Sequence, residues 1–298
     1  MIRTSRLALY LSAALFASGV TLAVSGRYDL HMHLMVLGFL SFYYSVMYIQ
    51  LPGFINAVPD KIASWALFAL FAAGAGASLY VGYAAFVGFS ALYLVLYLKG
   101  IWGKVAYYPN WVAVAGLLAL PLASSHIEAV YSFPLASVYA LMYRIDSSRA
   151  KRRFSAAKAG ALVAGYAVAF AATKAGYLWS PIIPSLILTA AAPPVLKDVY
   201  SAGSLLFRFA LPLAFLHHHA AYMSFAVVMS TLCVPYFVPS VLYRRLPNYG
   251  PGLLAISLAA FAFRILGQIA AAGAAVLALL AYAAYKSLST EPIPLKPP

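Results

Sequence analysis

Long apolar segments, separated by short polar or basic loops, follow one another along almost the whole chain. A transmembrane helix needs about 20 apolar residues, so the longest of these segments have room for two helices each. The pattern predicts an all-α, polytopic transmembrane helical bundle of about 11–12 helices. The apolar segments cover residues 7–24, 30–51, 62–98, 111–145, 159–178, 181–196, 202–243 and 252–285.

Turn residues inside the longer segments indicate where the chain reverses. Glycines between residues 74 and 82 predict a turn in the third segment, and Ser124 and Ser125 predict one in the fourth. The last segment is compatible with either a tight hairpin or one long tilted helix. The first segment is interpreted as an uncleaved membrane helix, with a cleaved signal peptide as the alternative.

Composition and charge place these helices in a membrane. Apolar residues make up 64% of the chain and charged residues 9%, and the mean hydropathy is +0.88. The net charge of +14 comes from Lys and Arg at segment ends, which orient membrane helices, so nucleic acid is not an expected partner. If Arg3 and Arg6 face the cytoplasm, nearly every basic loop does too.

We therefore expect a multi-pass protein of the cell membrane, in contact with the lipid bilayer and with a cytoplasmic N-terminus. A single membrane domain is predicted over residues 1–288, followed by a Pro-rich tail over residues 289–298. Several site types are excluded at this point. One cysteine, Cys233, allows neither an intrachain disulfide nor a CxxC motif, and P-loop, GxSxG and HExxH motifs are absent.

The six histidines are the main candidates for chemistry. In the predicted topology all of them lie at the outer membrane face, and imidazole is a good ligand for copper, iron and zinc. Three adjacent histidines in a membrane segment are costly unless they have partners. The alternative for any single one is a contact with lipid headgroups. The histidines are His31, His33, His126, His217, His218 and His219.

Helical geometry limits what the first pair can do. His31 and His33 are separated by about 200° of rotation on a regular helix, so they cannot hold one metal ion together. If both are ligands, they serve groups on two sides of the helix. His126 is followed by Glu128, which could orient an imidazole, act as a proton relay, or lie exposed in a loop. Arg264 falls near an outer turn and is a candidate partner for an anionic group such as a heme propionate.

The stretch "HMHLMVLGFLSFYYSVMYIQLPGF", residues 31–54, resembles the early HxH…GF helix of NnrS-type membrane proteins. It is more distantly similar to the histidine-bearing helices of heme-copper oxidase subunit I. The resemblance implies a polytopic protein with heme and copper. It implies heme or metal ligation by His31 and His33 and copper-type ligation by His217 and His218, and it makes His126 with Glu128 a counterpart of an HxE segment.

The function hypothesis is an integral membrane b-type heme protein, with one or two hemes and copper as a further candidate. Its site near the outer face would act in respiratory electron transfer or in the handling of nitric oxide or dioxygen, and the protein would be oxidoreductase-like if redox active. His31, His33, His126 and Arg264 would bind the cofactor, and His31, His33, His217, His218 and His219 are candidate metal ligands. The alternatives are a proton- or metal-coupled transporter and a membrane anchor for an external cytochrome or another respiratory subunit.

Overall fold

Helices account for the regular structure of the chain. The computed structural model describes residues 2–55, 60–233, 239 and 244–292, and most of these residues are helical with no β-strand among them. The predicted all-α class is therefore confirmed. Parts of two predicted features, residues 234–238 and 240–243 of the seventh apolar segment and residues 293–298 of the Pro-rich tail, lie outside the described residues.

The helices are numbered in chain order. In the first half they are α1 (Ile2–Val24), α2 (Tyr28–Ile55), α3 (Lys61–Val81), α4 (Val87–Tyr97), α5 (Asn110–Ala119), α6 (His126–Tyr131), α7 (Phe133–Arg149) and α8 (Ala156–Lys174). In the second half they are α9 (Ile182–Ala191), α10 (Val199–Ala210), α11 (His218–Val228), α12 (Gly252–Ile265) and α13 (Ile269–Leu288).

Within the described part of the chain, five helical stretches are long and apolar enough to cross a bilayer. Length and composition therefore mark the chain as a membrane protein. The count of about 11–12 spans and the cytoplasmic N-terminus stay predictions. The five stretches are Arg3–Val24, Tyr28–Met47, Lys61–Gly100, Ala156–Lys174 and Ile269–Leu288.

The predicted turns match breaks in the helices. Helix α3 ends at Val81 and is capped by Gly82, whose φ of 65° suits glycine, and a short 3-10 turn over Gly82–Phe86 leads into α4. Ser125 caps the start of α6 by accepting a hydrogen bond from the N–H of Glu128. The last apolar segment forms two helices, α12 and α13, so of the two alternatives the hairpin is the correct one.

The chain divides into two compact units. The first comprises Met1–Gly176 and Ile187–Ala192, and the second comprises Tyr177–Leu186 and Pro193–Pro298. In the first unit, serines join α1 to α2: the Ser12 hydroxyl donates to the carbonyl of Gly38 at 2.7 Å, and the Ser41 hydroxyl donates to the carbonyl of Ala8 at 2.7 Å. Small side chains allow such close contact, which is typical of helix pairs in membranes.

A row of buried aromatic rings runs along α4 in the first unit. Neighbouring ring centroids lie between 5.5 and 6.5 Å apart, within the range of favourable aromatic contacts. The row begins in the 3-10 turn that precedes α4 and continues to the end of the helix. Its members are Tyr83, Phe86, Phe89, Tyr93 and Tyr97.

The second unit contains a close helix contact and a hairpin. A Cβ atom on Gly203 of α10 would lie 2.1 Å from the Thr231 hydroxyl oxygen, so only glycine allows this approach. Asp198 starts α10 with a capping box, in which its side chain accepts from the N–H of Ser201. The hydroxyls of Tyr249 and Ser287 lie 2.7 Å apart and tie the segment before α12 to α13.

Candidate histidine site

The HMH motif presents its two imidazoles to different neighbours, as the rotation of a helix requires. His31 donates from Nδ1 to the carbonyl of Gly19 on α1 at 2.9 Å. His33 contacts α3 instead, with its Nε2 atom 2.9 Å from the Ser78 hydroxyl oxygen. His31 and His33 are thus held by separate elements, and each is partly buried.

The hydrogen bonds around Ser78 determine the tautomer of His33. The single hydroxyl proton of Ser78 is donated to the carbonyl of Ala75 at 2.8 Å. The Ser78 oxygen must therefore accept from His33, so Nε2 carries a proton. In the neutral ring this leaves a lone pair on Nδ1, and no further hydrogen bond to this ring is found among the described residues. Ser78 thus fixes the His33 ring through the N–H at Nε2, and metal-binding histidines are usually oriented through one ring N–H in this way.

A second histidine, His126, lies next to His33. His126 begins α6, and its Nδ1 atom lies 2.7 Å from the Tyr83 hydroxyl. The ring centroids of His33 and His126 are 5.5 Å apart with an interplanar angle of 61°. Tyr83 also stacks on His33 at 5.8 Å. Three rings from three elements therefore form one cluster, called here the His33–His126 site.

Glu128 fixes the turn that presents His126. Its carboxylate accepts hydrogen bonds from the N–H and hydroxyl of Ser124, from the Ser125 hydroxyl at 2.8 Å, and from the ammonium of Lys174 on α8 at 2.9 Å. Burial opposes ionisation of Glu128, but these donors outweigh it and hold the pKa of the carboxyl below its ordinary value. Glu128 therefore fixes the turn beside His126. Of the three roles that the sequence left open, the exposed loop position is wrong because Glu128 is buried, and among the described residues its carboxylate accepts from serines and Lys174 with no bond to an imidazole. A proton-relay role stays a prediction.

The protonation of His126 follows from its surroundings. Burial holds the pKa of His126 below its ordinary value, although the charge of Asp29 on α2 acts in the opposite direction. The imidazole is therefore neutral at pH 7, which is the form that binds metals. Asp29 and His33 are one helical turn apart on α2 and share a face.

A cavity of about 580 Å³ opens beside the two imidazoles. His33, Ser78, Tyr83 and His126 supply polar groups, and small residues of the 3-10 turn and of the segment before α6 supply much of the remaining wall. This volume lies within the range of about 300–1,000 Å³ that is usual for small-molecule and cofactor sites.

The remaining predicted residues lie in the second unit. His217 caps α11 by accepting the N–H of His219 at Nδ1, at 3.1 Å. Arg264 donates from Nη2 to Nε2 of His219, and His218 is exposed. Over residues 2–55, 60–233 and 244–292, no group of three or more His, Cys, Asp or Glu side chains could hold a metal ion. Ligation by His217, His218 and His219 stays a prediction.

Sequence reasoning missed Ser78 and Tyr83. Both flank Gly82 within an apolar segment, and polar residues beside a glycine break are a signal that could have indicated them. Sequence reasoning also did not bring His33 and His126 together, because no local pattern encodes a contact between residues so distant in the chain.

Comparisons with known proteins give no assignment. No protein-family model, no curated protein and no solved structure matches the chain. The resemblance to NnrS-type proteins therefore rests on residues 31–54 and on the placement of the histidines.

Proposed function

We propose that the chain is an integral membrane b-type heme protein that holds heme at the His33–His126 site and acts in respiratory electron transfer or in the handling of nitric oxide or dioxygen. The observation that carries this proposal is the meeting of two imidazoles, from α2 and α6, beside a cavity of cofactor size. The Nδ1 lone pair of His33 would be available to a metal, because Ser78 engages Nε2, and His126 would offer Nε2 in the tautomer whose Nδ1–H donates to the Tyr83 oxygen.

The ligand set favours heme over a bare metal ion. Structural and catalytic zinc sites take three or four protein ligands, and the described residues offer no such group. Heme iron needs only one or two axial side chains, because the porphyrin supplies the other four nitrogens. For copper, the other candidate, the part of the chain that the structure describes likewise offers no third His, Cys, Asp or Glu ligand beside these two imidazoles.

The spacing of the rings also bears on the fit. The ring centroids of His33 and His126 are 5.5 Å apart, so the two imidazoles are close enough to serve one group. Heme at this site would be held by His33, by His126 or by both.

The residues around the site have defined tasks in this proposal. Heme, when bound, supplies one-electron chemistry. Ser78 orients His33 by accepting its Nε2 proton, Tyr83 holds His126, and Glu128 with Lys174 fixes the turn before α6. The aromatic row that begins at Tyr83 extends from the site along α4 and is buried over its whole length.

The test is an absorption spectrum of protein purified from a heme-replete host. We expect a Soret band that shifts on reduction with dithionite and that changes in His33→Ala and His126→Ala. His218→Ala is the matched control, because this exposed histidine belongs to the other unit. His31→Ala tests for a second heme on the opposite face of α2. Colourless wild-type protein without bound heme would reject the proposal.

A second candidate, a proton-coupled transporter, is favoured by buried hydroxyls in the first unit. Ser90 and Tyr97 of α4 and Ser137 of α7 are buried, and their hydroxyls have no hydrogen-bond partner among the described residues. Such groups usually bind internal water, which can conduct protons. This candidate predicts proton-driven substrate flux in proteoliposomes and no chromophore.

A further inference from the structure

Arg264 carries a charge that no carboxylate of the second unit neutralises. Its guanidinium can only donate, so Nε2 of His219 accepts and the imidazole is neutral. The unit contains two acidic residues, and both act elsewhere: Asp198 caps α10, and Glu291 pairs with Arg245 at 3.0 Å. Within the described part of the chain, Arg264 has no ion pair.

The start of α11 adds positive potential next to this charge. His217 is the N-cap, and its ring centroid lies 5.0 Å from that of His219. The first N–H groups of a helix and its dipole favour an anion at this position. Arg264, His219 and His217 are called here the Arg264 cluster. The cluster is cationic and partly open, and no carboxylate of the described residues forms an ion pair with its guanidinium.

Exposed apolar side chains surround the Arg264 cluster in sequence. Leu216, directly before His217, is 70% exposed, and Leu266, two residues after Arg264, is 72% exposed. Ile269, at the start of α13, is 68% exposed. In a membrane protein such residues contact acyl chains, so a headgroup phosphate and its lipid tails would find partners at the same place. Inorganic phosphate would use only the cationic part.

We infer that the Arg264 cluster binds the phosphate of an anionic phospholipid, with the guanidinium of Arg264 as the main contact. Arg presents several N–H donors in a planar fork that matches phosphate oxygens, and the bond to His219 fixes the orientation of this fork. The site is independent of the heme proposal, because it uses residues of the second unit only.

The experiment is native mass spectrometry of delipidated full-length protein titrated with phosphatidylglycerol or, separately, with phosphatidylcholine. We expect one phosphatidylglycerol to bind more tightly than the rest, and Arg264→Gln to weaken this binding by at least about tenfold, equivalent to about 1.4 kcal/mol. Arg264→Lys should retain part of the affinity, because the charge remains. Arg27→Gln, at an exposed arginine in the loop before α2, is the matched control and should bind as wild type does.

A second arm separates the sources of phosphate. Inorganic phosphate is added to delipidated protein, and the thermal unfolding temperature is measured for wild type, Arg264→Gln and Arg264→Lys. If phosphate stabilises wild type through Arg264 but phosphatidylglycerol does not bind preferentially, the lipid assignment is wrong. If wild type and Arg264→Gln bind both probes equally, the site does not exist. If Arg264→Gln fails to fold, His219→Ala is used in its place, because it removes the bond that orients the guanidinium. A loss of phosphatidylglycerol affinity in His219→Ala supports the site, and an unchanged affinity contradicts it.

Discussion

Individual side chains around His33 explain how the site is held. Ser78 uses its only proton on the carbonyl of Ala75, which forces His33 to donate from Nε2. The HMH motif predicted that His31 and His33 face different neighbours, because helix rotation is a local property. The partners of His33 and His126 could not be predicted in this way, because Ser78 and Tyr83 come from a segment whose approach depends on tertiary packing.

Ser78→Ala tests this arrangement. Without the hydroxyl, His33 loses the group that fixes its orientation and tautomer, and loss of such a partner typically costs about 10–100-fold in metal affinity. We expect a corresponding loss in heme affinity, measured by hemin titration of the apoprotein. Ser257→Ala is the control, because the Ser257 hydroxyl donates only to the carbonyl of Leu254 within its own helix. Equal hemin affinity in wild type and Ser78→Ala would refute this role.

Helices and their ends account for the position of His126. The serine pair predicted the break before α6, and Ser125 caps that helix as its type suggests. The role of Glu128 was not predictable, since its ion pair with Lys174 joins the α6 turn to the end of α8. The glycines likewise predicted the break at Gly82. The 3-10 turn that forms there contains Tyr83.

The Glu128–Lys174 pair should stabilise the first unit as a couple. The Glu128 side chain is 6% exposed and that of Lys174 is 39% exposed, so we expect Glu128→Gln to lower unfolding stability by about 1–3 kcal/mol, discounted for solvent on the lysine side. Lys174→Met should cost at least as much, because it leaves the buried Glu128 carboxylate without its cation. Thermal unfolding in detergent of both single variants and the double variant measures the coupling. Additive losses would show that the pair does not act as a unit.

Close packing of α5 against α7 makes a second prediction about helices. A Cβ atom on Gly116 would lie 2.3 Å from the Cβ atom of Ala136, so Gly116→Ala should destabilise the protein by about 1–3 kcal/mol through overpacking. Gly160→Ala, inside α8, is the matched control, because its Cβ would meet no atom within 4 Å. That variant should be neutral or stabilising by up to about 1 kcal/mol. Similar unfolding temperatures for the two variants would contradict the observed contact.

Several properties of the whole chain could be predicted from its apolar segments. Helix class, membrane character and the helix breaks at Gly82 and before α6 follow from segment length and from glycine and serine positions, because these are local properties. The division into two units and the assignment of His33 and His126 to one and Arg264 to the other depend on long-range packing. Periodicity and charge contain no information of that kind.

The orientation in the membrane stays a prediction that labelling can test. With Cys233 replaced by Ser, single cysteines at Arg27 and Arg153 should react with an impermeant maleimide from opposite sides of intact cells and inverted vesicles. Arg27→Cys should be labelled from outside and Arg153→Cys from the cytoplasm, because basic loops remain inside. The reverse pattern would place the N-terminus outside.

The proposed function requires heme at the His33–His126 site. The decisive measurement is the heme-to-protein ratio, with the reduced-minus-oxidised spectrum, of wild type and of the His33→Ala/His126→Ala double variant purified side by side. We expect at least one b-type heme per wild-type chain and its loss in a double variant that is still folded. Wild-type protein without heme, or a double variant with the full heme content and an unchanged spectrum, would contradict it.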